Sequence, residues 1–184
     1  MKIEPVSSLG AVTSRLKLQL GDITAMNVDA VVNSTDSTLD SGGPVHTALH
    51  RAAGPGLARE CATLGECPVG EARITSGHRL RARFVLHTVA PIWVGGTAGE
   101  REALANCYRT CLRLAEARGL ASVAFPSIAA GPQPQFPLDQ AAPIAIHTIL
   151  DFLAGHDLPR QVVMVCFDVA TYRIHQQILK EALP

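Results

Sequence analysis

The feature that most constrains this chain is a regular alternation of short apolar segments with longer amphipathic ones. The run Val162–Phe167 is continuously apolar, which is typical of a strand buried on both faces of a parallel sheet. The segment 100–118 instead repeats its apolar residues at helical spacing. This alternation predicts a three-layer α/β/α sandwich with a central mixed, mostly parallel sheet. The predicted strands are 15–20, 29–33, 72–75, 84–89, 122–125 and 162–167, and the predicted helices are 45–53, 57–64, 100–118, 138–153 and 170–183.

A single domain is expected over residues 15–184, because the chain has 184 residues and shows no repeat or interdomain linker. Residues 1–14 show no clear period and are expected to form a lead-in segment or an edge strand. Hydrophobic residues make up 47% and charged residues 17% of the chain, which is typical of a globular domain and excludes a disordered one.

Charge and cysteine content exclude several classes of protein. Lys+Arg and Asp+Glu both number 16, so a general nucleic-acid or anionic-membrane surface is not indicated. The five cysteines include no CxxC pair, which favours buried, reduced thiols over a disulfide scaffold or a zinc site. The first ten residues lack a signal-peptide hydrophobic region, and no apolar run has the length of a membrane helix. We therefore expect a cytoplasmic protein without a cofactor or bound metal.

Polar residues gather where predicted strands end, which is where open α/β sheets bind ligands. Two of these segments, 33–46 and 127–136, are glycine-bearing loops that lead from a strand into a helix. Such a loop presents backbone N–H groups and a positive helix end to an anion, although many strand–helix turns are only structural. The chain contains neither GxGxxG nor GxxxxGK[ST]. A metal site among Asp36, Asp40, His46 and His50 is disfavoured, because these residues span a loop and a helix start.

Several short motifs follow one another along the chain, namely GDIT at 21–24, VDAVVN at 28–33, ALHRAAGP at 48–55, CPVGEA at 67–72, HTVAPIW at 87–93, AFPSI at 124–128 and VCFD at 165–168. They resemble the motifs of the macro domain, the ADP-ribose-binding module, and occur in that family's order. The resemblance covers roughly residues 15–183 and is closest to the MacroD-type branch. Members of that branch often remove mono-ADP-ribose from proteins or deacetylate O-acetyl-ADP-ribose.

The resemblance implies a role for each of several residues. Asp22 would accept a hydrogen bond from the adenine amino group, and the Ile23 N–H would support the edge of the ring. Phe167 would pack against adenine, although a core aromatic at a strand end fits the pattern nearly as well. Asn33 would face the distal ribose. The two diphosphate loops would comprise Gly42, Gly43 and Val45 in the first and Ala129, Ala130 and Gly131 in the second.

The first loop departs from the family pattern at the positions that carry its polar chemistry. The family's second asparagine is Asp36 here, and the position of its catalytic aspartate holds His46. An ionised Asp36 cannot donate a hydrogen bond, whereas a neutral His46 could still act as a base. Two of the family's four glycines are replaced by Ser41 and Pro44, and Pro44 removes one backbone donor.

The second loop departs as well, since Pro132 and Pro134 remove two more N–H donors. We therefore expect a module that binds ADP-ribose or a related adenine nucleotide derivative, with weak or lost hydrolase activity. One alternative is an active mono-ADP-ribosyl-protein hydrolase or O-acetyl-ADP-ribose deacetylase, in which Asn33, Asp36 and His46 would be the catalytic positions. The other is a diverged fold with a different ligand or a protein partner. The expected partner is ADP-ribose or an ADP-ribosylated protein.

Overall fold

A computed structural model describes residues 6–128 and 136–182 and contains the expected alternation of strands and helices. A 3-10 turn, Ile23–Ala25, follows the first strand. The strands are β1 (Leu16–Leu20), β2 (Ala30–Thr35), β3 (Ala72–Ser76), β4 (Phe84–Val89), β5 (Ser122–Pro126) and β6 (Gln161–Cys166), and the helices are α1 (Val6–Thr13), α2 (Pro44–Ala53), α3 (Pro55–Cys61), α4 (Glu100–Ala117), α5 (Leu138–Gly155) and α6 (Val169–Glu181).

The strands form one sheet in the order β1-β6-β5-β2-β4-β3. Every neighbouring pair is parallel except β3 and β4, which are antiparallel. The expected mixed, mostly parallel sheet is thus confirmed. Because the parallel strands share one direction, the loops after β1, β6, β5, β2 and β4 all emerge at the same edge of the sheet.

Helices cover both faces of the sheet and bury it, as the apolar strands require. On one face, residues of α4 and α5 join the sheet in the larger core cluster, with α6 packed against it. On the other face, α2, α3 and the 3-10 turn form a second cluster with the alternate residues of β2, β4 and β6. Side chains alternate between the two faces along each strand, so Val31 and Asn33 of β2 point toward the side of α2.

The N-terminal segment differs from the expectation of an edge strand, because Val6–Thr13 forms a helix that contacts α5. The first residue of β1, Leu16, is buried. The guanidinium of Arg15, just before the strand, donates to the carbonyls of Leu153 and Pro159 at 2.6 and 2.7 Å, which fixes this region to the core. All five cysteines are buried and unpaired, as predicted. None of the helices in the described ranges is both long and apolar enough to cross a membrane.

Candidate functional site

A cavity of about 790 Å³ opens at the shared strand-end edge, between the loop after β2 and the segment after β4. Its size lies within the range of small-molecule sites, roughly 300–1,000 Å³. One wall is polar and comes from the end of β2 with residues 36–37 and 42–44. The other wall is mostly apolar and is lined by Val69, residues 89–92, Val94, Ala98, Glu100 and Ala103. The cavity is therefore two-sided in its chemistry.

Asp36 organises the polar wall. One oxygen of its carboxylate, Oδ2, accepts from the hydroxyls of Ser41 (2.7 Å) and Thr38 (3.1 Å). The other oxygen, Oδ1, accepts from the backbone N–H groups of Asp40 (3.2 Å) and Ser41 (3.4 Å). Burial alone would raise the pKa of Asp36, but these hydrogen bonds outweigh it and lower the pKa to about 2. Asp36 is therefore ionised and engaged by its own loop.

Leu39 anchors the same loop from the inside. Its backbone has a φ of 64°, an uncommon conformation for a leucine, and its side chain is fully buried in the cluster beneath α2. The turn is closed by a hydrogen bond from the Leu39 N–H to the Asp36 carbonyl at 3.2 Å. Apolar burial of one side chain thus offsets the backbone strain and holds the loop in a single shape.

Two imidazoles, an amide and a hydroxyl form a buried hydrogen-bonded chain beside the polar wall. Asn33 and His87 are register partners on β2 and β4, and Asn33 Nδ2 lies 3.1 Å from His87 Nδ1. The same amide nitrogen lies 3.2 Å from Nδ1 of His46 on α2. His87 Nε2 in turn lies 2.9 Å from Thr75 Oγ1. With the amide as donor to both rings, each of the two imidazoles carries its proton on Nε2.

All three histidines of this region are held neutral at physiological pH. Burial, together with smaller contributions from the nearby His50 and His46, lowers the pKa of His87 to about 3. Burial also lowers the pKa of His46, despite opposing contributions from a backbone hydrogen bond to Asp40 and from the charge of Asp36. The ring of His50 stacks on that of His46 with centroids 4.1 Å apart, and burial lowers its pKa as well.

Two polar atoms of this region have no hydrogen-bond partner among the described residues, namely Asn33 Oδ1 and His50 Nε2. Asn33 is fully buried and His46 nearly so, and neither lines the cavity. The structure therefore brings Asn33 and His46 together beneath the cavity floor, whereas Asp36 lies apart in the wall.

The start of α2 explains two of the unusual residues in the first loop. Pro44 occupies the first turn of the helix, where its missing N–H interrupts no helical hydrogen bond. Gly42 packs against His46, since a Cβ at Gly42 would lie 2.7 Å from the Cβ of His46. A Cβ at Gly43 would meet nothing within 4 Å. Gly42 is thus required by packing, whereas Gly43 leaves open space in front of the helix.

The predicted adenine-binding residues lie at the opposite end of the strand-end edge. Asp22 follows β1 and Phe167 follows β6, and these two strands are neighbours. Asp22 Oδ1 accepts from the N–H and hydroxyl of Thr24, both at 2.8 Å, and caps the 3-10 turn. The side chain of Phe167 is 85% exposed, so the alternative of a core aromatic is wrong. The side chain of Ile23 is buried, which leaves only its backbone for a ligand.

The remaining predicted residues divide into two groups. Val45 is half-buried against the second core cluster. Ala129, Ala130 and Gly131, together with Pro132 and Pro134, lie outside the described residues. Phe136 is buried against Trp93, with ring centroids 4.6 Å apart, and does not fill the cavity. Within residues 6–128 and 136–182, no group of His, Cys, Asp and Glu is placed to hold a metal ion.

Sequence reasoning missed the apolar wall and the residue that shapes it. Glu100 is buried, and its carboxylate accepts from the N–H groups of Val94 (2.9 Å), Gly96 (3.0 Å) and Ala98 (2.7 Å). Hydrogen bonds from its own backbone and from these residues lower the pKa of Glu100 to about 2, against an opposing effect of burial. Val69, Ile92 and Val94 expose 54%, 71% and 62% of their side chains. The signal was an apolar run, Ile92–Val94, inside a loop.

The mixed α/β sheet has its cavity at the carboxyl ends of the parallel strands, where open α/β sheets bind ligands. The model of the family described as Macro domain matches residues 32–145. The chain therefore belongs to the macro domain family, as the sequence motifs indicated.

Relatives and solved structures agree with this assignment. The O-acetyl-ADP-ribose deacetylase of Salmonella typhimurium is 45% identical over 173 residues, covering 92% of this chain and 96% of that protein. A macro domain-containing protein of Methanosarcina mazei is 44% identical over 169 residues, covering 92% and 90%. The Oceanobacillus iheyensis macrodomain with ADP superposes with a TM-score of 0.85 at 40% identity, covering 90% of both chains. The Trypanosoma brucei macrodomain in complex with ADP gives 0.86 at 35%, covering 96% and 74%.

Proposed function

We propose that this protein binds ADP-ribose or a related adenine nucleotide derivative across the strand ends, with weak or lost hydrolase activity. Adenine lies over β1 and β6, between Asp22 and the exposed ring of Phe167. The diphosphate lies near the start of α2, where backbone N–H groups and the helix dipole favour an anion. Related macrodomains solved with ADP and with ADPR support this ligand class.

Weak or lost hydrolase activity is supported by the contacts of the two candidate bases, Asp36 and His46, within the protein. The carboxylate of Asp36 accepts four hydrogen bonds from its own loop. Nδ1 of His46 faces the Asn33 amide, and its ring is buried behind Gly42. A general base must reach the water that it activates, directly or through one further water. His46 does not line the cavity, and Asp36, which does, has both carboxylate oxygens engaged by its own loop.

Binding is tested by titration calorimetry with ADP-ribose on the wild-type protein and on Phe167→Ala. Stacking of a base on an aromatic ring contributes about 1–3 kcal/mol, so we expect Phe167→Ala to weaken binding by roughly fivefold or more. Its stability should not change, because the ring is 85% exposed.

The matched control for this substitution is Ile92→Ala, which removes an apolar side chain of similar exposure at the far end of the cleft. It should leave the affinity for ADP-ribose unchanged. Absence of both heat and a thermal shift at millimolar ADP-ribose would rule out the binding proposal.

A second candidate function is hydrolysis, either of O-acetyl-ADP-ribose or of mono-ADP-ribosylated protein. The identity of 45% with an O-acetyl-ADP-ribose deacetylase favours it. The substitution His46→Asp separates the two functions, because it places a carboxylate at the family's aspartate position. Under our proposal, His46→Asp raises the rate of deacetylation well above that of the wild type, with the Salmonella typhimurium enzyme as the positive control.

The opposite result would favour the hydrolase. In that case the wild-type protein would deacetylate O-acetyl-ADP-ribose as fast as the Salmonella typhimurium enzyme, and His46→Ala would abolish that activity. This outcome would mean that His46 serves as the base. Asp36→Ala assayed in parallel would show whether the loop carboxylate contributes.

A further inference from the structure

The apolar wall of the cavity contains none of the residues that the proposed binding of ADP-ribose uses, and its place in the sheet indicates what it would contact. From β1 to β2 there are three strand-to-strand steps, which span about 14 Å. An ADP-ribose with adenine over β1 and β6 therefore brings its distal ribose to the loop after β2. The next strand in the order is β4, and the segment after it forms the apolar wall. Whatever is attached to the distal ribose thus meets that wall.

The composition of the wall selects the kind of attached group. Val69, Ile92 and Val94 all line the cavity and are all exposed. Isolated exposed apolar residues are ordinary, but several that line one cavity mark a binding surface. Ala98 and Ala103 line the same cavity with small side chains. An aliphatic group would bury these surfaces, whereas a polar one would lose its hydration there.

The charges around the cavity select further. Asp36 and Glu100 are its two carboxylates, and both are already hydrogen-bonded within the protein. None of the described lining residues carries a cationic side chain. A neutral attached group is compatible with this arrangement, whereas an attached carboxylate would meet two like charges without a compensating partner.

We propose that the cavity lined by Val69, Ile92 and Val94 is an acyl subsite that selects neutral aliphatic O-acyl esters of ADP-ribose longer than acetyl. The inference rests on the proposed binding of ADP-ribose and names the substrate class of that same cleft. Each methylene that enters the apolar part should tighten binding about fourfold. A dicarboxylic half-ester such as succinyl should be rejected.

The test uses hydrolysis-resistant analogues, in which an amide replaces the ester at the distal ribose. The full-length protein is titrated with ADP-ribose and with its N-acetyl, N-butyryl and N-succinyl amides. We expect the butyryl amide to bind about fifteenfold tighter than the acetyl amide, which it exceeds by two methylenes. We expect the succinyl amide to bind roughly fivefold or more weakly than the butyryl amide.

Substitutions at Ile92 connect the selectivity to the wall, and the exposure of this side chain means that the variants should fold. Ile92→Leu keeps the apolar surface and is the matched control, with unchanged selectivity. Ile92→Lys supplies the missing cation and should make the succinyl amide bind more tightly than the butyryl amide.

The outcomes distinguish this inference from the function on which it rests. If ADP-ribose binds but acetyl, butyryl and succinyl amides bind equally well, the acyl subsite is wrong and the binding function stands. If neither ADP-ribose nor any amide binds, both proposals are wrong. Tighter binding of the butyryl amide that survives Ile92→Lys would also overturn the assignment of the subsite to this wall.

Discussion

Single residues of the first loop carry roles that their chemical type alone does not reveal. Asp36 looks like a candidate base, yet its four hydrogen bonds fix the loop. His46 looks like an exposed helix-start histidine, yet it is buried against Gly42 and the Asn33 amide. Asp36 and His46 therefore stabilise the conformation of the loop, and Gly42 is the position where a larger side chain has no space.

The substitution Gly42→Ala tests this packing. Its methyl group would lie 2.7 and 2.9 Å from the Cβ and Cγ of His46 and 3.0 Å from the Ser34 carbonyl oxygen, so α2 or the loop must move. We expect a loss of about 1–3 kcal/mol in the free energy of unfolding, which is typical of overpacking. Denaturant unfolding without ligand is the measurement.

Gly43→Ala is the matched control, because its methyl group would enter open space. Its stability should stay within about 0.5 kcal/mol of the wild type, as for most surface substitutions. Equal losses for the two variants would contradict the packing of Gly42 against His46.

At the scale of elements, the helix α2 presents its N-terminus to the cleft with Pro44 in its first turn. This proline lacks a backbone N–H that could donate to a phosphate, and the helix tolerates it because the first turn needs no such donor. Pro55 occupies the equivalent position at the start of α3, away from the cavity lining. Proline can therefore be replaced by alanine in the first turn of a helix both beside the cavity, at Pro44, and away from it, at Pro55.

The substitution Pro44→Ala is expected to tighten binding of ADP-ribose by roughly fivefold, because it restores one backbone N–H at the diphosphate position. A hydrogen bond to a charged group contributes about 1.5 kcal/mol or more, and the free energy needed to order the loop offsets part of this gain. It should also cost about 0.5 kcal/mol of stability by freeing the unfolded chain. Pro55→Ala should show the same small loss of stability with no change in affinity. Calorimetry and thermal unfolding on both variants check this, and a weaker affinity in Pro44→Ala would contradict it.

The elements were largely predictable from sequence, whereas contacts that depend on long-range packing were not. Strand β4 was predicted at its observed bounds, because its composition and flanking turns are local signals. Helix α1 was missed, since its residues carry no amphipathic period of their own and it contacts α5, far along the chain. The chain of Asn33, His46 and His87 could not be found either. It joins β2, α2 and β4 only once the sheet register brings them together.

At the scale of the whole molecule, the buried histidine chain links the sheet to α2 and makes stability depend on pH. The folded-state pKa of His87 is about 3, well below the ordinary value of 6.5. Between these values the unfolded chain takes up a proton that the folded chain does not. Stability is therefore full above about pH 6.5 and falls as the pH drops through that window, and it does so before most carboxylates titrate.

The substitution His87→Gln tests this dependence, since an amide can keep hydrogen bonds to Asn33 and Thr75 but does not titrate. We expect the wild type to lose up to about 1.4 kcal/mol per pH unit from this one group near pH 5, with a flatter dependence in His87→Gln. His147→Gln, at an exposed position on α5, should keep the wild-type slope. Parallel stability curves for the wild type and His87→Gln between pH 7 and pH 4.5 would contradict the assignment.

The burial of all five thiols allows local opening of the structure to be measured by thiol alkylation. Cys61 and Cys67 lie in the cluster under α2 and α3, whereas Cys107, Cys111 and Cys166 lie in the cluster under α4 and α5. An alkylating reagent can reach any of them only after the local structure opens. The alkylation rates of the two sets therefore report local opening separately on the two sides of the sheet. A ligand in the cleft should slow the alkylation of Cys61 and Cys67 more than that of the other three thiols.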